Sequence, residues 1–123
     1  MIRLVAALIM VGAAAQAGED PLFGVWCGAG QTLYIDAAGI SADEITFCDA
    51  DPLPHSDNGR FSARITCRNV YVTGGTPGSA TDPLQINEVL IPDLVSIDTR
   101  LERADRLLVT FSGAAAHAFD RCG

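Results

Sequence analysis

Few residues in this chain have the means to do chemistry. Two histidines, His55 and His117, stand among fifteen carboxylates in 123 residues, and there is no lysine. His55 lies near Asp49, Asp51 and Asp57, a mixture of imidazole and carboxylate that suits a divalent metal. The cluster does not follow the D-x-[DN]-x-[DN]-G order of a calcium loop, so a solvated turn is expected there. His117 and Asp120 are three apart, and on a strand they would face opposite ways and could not pair. Gly28-Ala29-Gly30 is a G-x-G with Leu33 where a dinucleotide fingerprint needs its third glycine. No Walker sequence and no G-x-S-x-G occurs. This inventory predicts no catalytic residues, no metal site and no cofactor. An enzyme would have to bring His55 or His117 into a pocket beside a carboxylate or a nucleophile.

The four cysteines, Cys27, Cys48, Cys67 and Cys122, carry a clearer message. Their spacing fits neither the close cysteine pairs of structural zinc sites nor a C-x-x-C redox motif. An even number in a short exported chain reads as a disulfide framework. Of the three possible pairings, the expected one joins Cys48 to Cys67 and Cys27 to Cys122. The first would staple neighbouring strands, and the second would tie the start of the domain to its end.

Export itself is read from residues 1–17. Met1-Ile2-Arg3 is a charged start, Leu4 to Ala15 is apolar, and Ala15-Gln16-Ala17 is a small-x-small cleavage site. Those three parts make a secretory signal peptide. The apolar run falls well short of the ~20 residues a membrane span needs. Cleavage before Gly18 would leave residues 18–123 as one β-rich domain in the periplasm or outside the cell, with no membrane attachment. Loss of Arg3 makes the formal net charge of −7 one unit more negative. Such an acidic surface argues against nucleic acid as a partner, because phosphate binding needs clustered bases. It favours solubility and suits a basic partner.

The elements that must position these residues read as short strands. Val95, Ile97, Thr99 and Leu101 alternate with Ser96, Asp98, Arg100 and Glu102, the period of a strand with one wet face. Arg103-Ala104-Asp105-Arg106 makes a turn, and Leu107, Val109 and Phe111 return as the second arm of a hairpin. Phe61, Ala63, Ile65 and Cys67 alternate in the same manner. Leu33 to Ile35, Ile45 to Phe47, Val70 to Val72, Ile86 to Ile91 and His117 to Cys122 complete the set. About eight short strands predict an all-β fold, a small antiparallel barrel, with a two-sheet sandwich as the alternative. Asp49 to Gly59 and Thr73 to Pro83 are polar, turn-rich loops that must lie on the surface. Trp26 is expected in the core, and Tyr34 and Tyr71 half-buried with wet hydroxyls.

Gly24-Val25-Trp26 and Arg121 resemble the signature of the calycins, which include lipocalins and small periplasmic inhibitors of secreted metalloproteases. In those barrels the G-x-W tryptophan opens the first strand and an arginine of the last strand packs across it. The resemblance covers these residues, the length and the strand-rich pattern. The chain is shorter than most lipocalins and lacks their further motifs, which weakens the case for an interior ligand cavity. If Trp26 and Arg121 meet on one face, Cys27 and Cys122 both lie on the other, so stack and disulfide are compatible. Cys48 and Cys67 fare worse: Phe47 inward puts Cys48 outward, whereas Cys67 shares the inward face of Phe61, Ala63 and Ile65. That pairing would need a bulge.

Three functions follow in order. The first is a periplasmic protein-binding or inhibitor module acting through the loops at residues 49–59 or 73–83. The second is a carrier of a small apolar ligand, which requires an interior cavity. The third is an enzyme.

Overall fold

The computed structural model describes residues 19–122; the expected signal peptide lies outside them. The described residues hold nine strands: β1 (Gly24–Gly28), β2 (Gln31–Asp36), β3 (Gly39–Ala42), β4 (Thr46–Asp51), β5 (Arg60–Gly74), β6 (Gln85–Ile91), β7 (Ser96–Arg103), β8 (Arg106–Phe111) and β9 (His117–Arg121). Every pairing is antiparallel. Eight strands run β1-β2-β3-β4-β5-β7-β8-β9 and close on β1, while β6 stands outside the ring. Closure through β4–β5 and β1–β9 makes a barrel and not a sandwich.

Alternation explains the closure. Phe61, Ala63, Ile65 and Cys67 on β5, Ile97 and Thr99 on β7, and Leu107 and Val109 on β8 are all buried, while their odd-one-out neighbours are exposed or half-buried. They meet Trp26, Leu33, Ile35, Ile40 and Phe119 in one continuous core. Thr99 is the polar member, and its hydroxyl donates to the Phe61 carbonyl at 3.2 Å, so its burial leaves no unmet donor.

Four expectations are corrected. Residues 61–68 and 70–72 are one fifteen-residue strand, β5. A strand not anticipated, β3, stands between Asp36 and Thr46; it gives the core only Ile40, too little to register as a period. Phe47 faces outward, at 39% exposure, and Cys48 faces inward. An aromatic side chain invites an inward assignment, yet β4 is fixed instead by Cys48 and Ala50, both buried. Cys48 therefore lies directly opposite Cys67, and the two are joined with Cα atoms 4.0 Å apart. No bulge is needed. The loops also shrink: Asp49 to Asp51 belong to β4, and Thr73 and Gly74 to β5.

Candidate functional site

One end of the barrel is shut by the segment that leads into β1. Leu22 is buried in the core, and the Trp26 indole N–H donates to its carbonyl at 3.0 Å. The Arg121 guanidinium lies 3.9 Å from the Trp26 ring centroid, within cation–π range. It donates to the Phe23 and Pro21 carbonyls, each at 2.6 Å, and to the Ala104 carbonyl at 3.3 Å. Asp20 extends the seal: its carboxylate accepts from the Leu22 and Ser56 backbone N–H groups, both at 2.8 Å, so the 52–59 loop is tied to the same plug. The Cys27–Cys122 disulfide, with Cα atoms 5.2 Å apart, lies beside this stack, one residue along from the Trp26↔Arg121 pair on each strand.

Gly24 is required by this arrangement. Its φ is +143°, and a methyl group on it would collide with the Arg121 guanidinium. Gly24→Ala is expected to cost about 1–3 kcal/mol, from backbone strain together with a displaced arginine. A urea titration checks it: the midpoint falls while the slope stays constant.

The other end, where β1 finishes and β9 begins, is an open mouth. A cup of about 250 Å³ there is lined by Leu33, Ile40, Ala42, Ile91, Leu94 and Phe111, with Gln31, Asp43, Thr46 and Asn69 among its polar members. The Thr46 hydroxyl donates to the Asn69 amide oxygen at 2.6 Å. Asp43 and Glu44 turn the chain from β3 to β4 with φ of +51° and +67°, and the Asp43 carboxylate accepts from the Thr32 N–H at 2.9 Å.

From this mouth β5 runs on beyond its last pairing with β4, at Asn69, and takes β6 as its partner from Cys67 to Gly74. The result is an arm. Its outward-continuing face carries Val72, Ile86 and Leu90, exposed by 63%, 59% and 60%. Its other face carries Tyr71 and Val89, also exposed. The free edge of β6 pairs with no strand among the described residues. The tip is ordered by its own polar groups: Thr76 N–H donates to the Asp82 carbonyl at 2.7 Å, and Asp82 N–H to the Ser79 hydroxyl at 2.9 Å.

The residues singled out for chemistry are dispersed. His55 sits at the closed end, its Nδ1 3.2 Å from the Leu53 carbonyl and its ring edge-on to Phe61. His117 starts β9 at the mouth, the opposite end. Asp49 pairs with Arg68 at 3.4 Å instead of joining His55. Ser62 donates its hydroxyl to Asp98, not to an imidazole. Among the described residues no three His, Cys, Asp or Glu side chains converge on a point that would hold a metal ion.

The described residues thus define a closed eight-stranded antiparallel barrel, plugged at one end and armed at the other. Comparison with protein-family models, with curated proteins and with solved structures finds no match. The arm is the feature that sequence reasoning missed. A signal for it exists: Val70, Tyr71 and Val72, then Ile86, Val89 and Leu90, place apolar or aromatic residues on both parities of two short segments, a pattern that a one-faced barrel strand does not require.

Proposed function

We propose that the protein is an exported binding module that holds another protein on the apolar arm at its mouth. One observation carries this reading: the arm exposes large apolar side chains on both faces beside an unpaired strand edge. Contiguous exposed apolar surface marks interaction sites, and an open edge is a template for strand addition. The two disulfides fit an oxidising compartment such as the periplasm or the cell exterior. The Trp26–Arg121 stack supports the calycin-like reading, and with it inhibition of a secreted hydrolase as the form that binding takes. The carrier reading is less well supported, because core side chains fill the barrel and the mouth cup of about 250 Å³ falls below the ~300–1,000 Å³ of ligand sites.

The test is the triple variant Val72→Ser, Ile86→Ser, Leu90→Ser. These side chains are mostly exposed in the free chain, so each change is expected to alter stability by no more than about 0.5 kcal/mol. Carbodiimide cross-linking, which uses the chain's carboxylates where lysine is missing, in cells that export the tagged chain is expected to give a discrete protein adduct with the wild type and none with the folded variant. The same adduct from both would overturn the proposal.

A further inference from the structure

The charge around the mouth is one-sided. Asp43, Glu44, Asp82, Glu88 and Asp93 all lie on the turns and the arm at this end. The bases nearest it are Arg68, shared between Glu88 at 3.0 Å and Asp49 at 3.4 Å, and Arg64, opposite Ser96 where β7 starts. Arg60, Arg103, Arg106 and Arg121 lie at the closed end, where β5 and β8 begin and β7 and β9 finish. A partner strand that adds to β6 therefore meets a surplus of carboxylate.

Glu88 occupies the middle of β6, on the same face as Ile86 and Leu90. That placement decides what can pair with the edge. A second copy of β6, antiparallel and in the register that sets Ile86 against Leu90, would bring Glu88 directly opposite Glu88, and like charges so placed are destabilising. Other registers that keep the faces matched set Glu88 against Ile86, Leu90 or the flanking Leu84 or Pro92, so the carboxylate always meets a like charge or an apolar side chain. A charge in the middle of an edge strand is a known way to exclude self-pairing. The same charge selects a complementary partner.

We infer that the β6 edge recognises an extended segment of a protein partner with the pattern apolar-x-basic-x-apolar. The basic residue sits opposite Glu88, and the two apolar residues meet Ile86 and Leu90. The partner's backbone completes the outward N–H and C=O groups of β6, as every second residue of an antiparallel edge leaves them free. On the other face, the partner's side chains run toward Ile91 and the mouth cup, whose 250 Å³ suits a side chain better than a free ligand. This inference rests on the protein-binding reading and adds the chemistry of the partner to it.

The test uses three capped heptapeptides against the isotope-labelled, oxidised protein. The first has a central arginine, valine two positions to either side, and threonine elsewhere. The second has glutamate for the arginine. The third is the first with alternate backbone nitrogens methylated on its pairing edge. The arginine peptide is expected to shift the amide resonances of Gln85–Ile91 and to bind at least about tenfold tighter than the glutamate peptide at low salt, with the ratio shrinking as salt is added. The methylated peptide is expected to leave those amides unmoved. Glu88→Arg is expected to reverse the preference, and the remaining resonances report that the variant is folded. Equal binding of the first two peptides, shifts confined elsewhere, or no shift at ~1 mM peptide would overturn the inference. So would shifts of the same amides on concentrating the protein alone, which would assign the edge to a second copy. In each case the protein-binding reading stands or falls separately, on whether the triple-serine variant loses its adduct in cells.

Discussion

Replacing Cys27 and Cys122 together by serine is expected to remove about 4–5 kcal/mol of stability. The bridge spans 95 positions, and in the chain-entropy model a loop near that length gives roughly 4.7 kcal/mol at 25 °C. Cys27 is exposed and Cys122 half-buried, so serine at these sites sacrifices little core burial, and the loss reports the cross-link itself. Net stabilities of small domains are about 5–15 kcal/mol, which makes the change a large share of the total. Thermal unfolding of the double variant is expected to fall by about 20–30 °C relative to the oxidised wild type. A shift of a few degrees would mean that the Trp26–Arg121 stack closes the ring almost as well without the bond.

Trp26→Ala is expected to cost about 3–5 kcal/mol, the range for emptying a fully buried large aromatic site. Trp26 is 0% exposed. Its loss leaves the Leu22 carbonyl without its donor and takes away the surface on which Arg121 rests. Trp26→Phe separates the two contributions: it keeps most of the apolar ring and drops the N–H, for a cost of about 1–2 kcal/mol. Trp26 is the sole tryptophan, so circular dichroism is the readout that survives both substitutions. Because Cys27 and Trp26 are neighbours on β1 and both pair with β9, combining Trp26→Ala with the cysteine pair is expected to cost less than the separate losses added together.

The parts of this fold that could be read from the residues are those with one buried face. Phe61-Ala63-Ile65-Cys67 and Ile97-Thr99-Leu101 alternate in the chain and in the barrel alike. A short strand with a single core residue left no such trace, which is why β3 went unseen. Phe47 misled because a large apolar residue was given more weight than the small ones, Cys48 and Ala50, that occupy the core face. The plug was beyond sequence reasoning for a different reason. Its hydrogen bonds join Arg121 to carbonyls 98 and 100 positions away, and backbone acceptors carry no residue signature. The tryptophan and arginine themselves were legible through their resemblance to a barrel signature. The arm was half legible: its two strands were expected, but their projection past the barrel follows from β4 starting only at Thr46, opposite Asn69, while β5 continues to Gly74.

On the proposed reading, the arm gives a barrel with a packed core a surface for binding. Its scaffold is held by two disulfides, and its exposed apolar side chains lie on the arm beyond the barrel core. Stability and binding can then be changed separately, which the serine variants of the arm and the cysteine pair are chosen to show.

The most direct measurement is site-specific photo-cross-linking in cells that export the full chain. A benzophenone side chain is placed at Ile86, at the centre of the arm, and in a second version at Arg100, on the barrel wall. A discrete protein adduct from position 86 and none from position 100 is the predicted result. Adducts from both positions alike, or from neither, would contradict the claim that the arm is the binding surface.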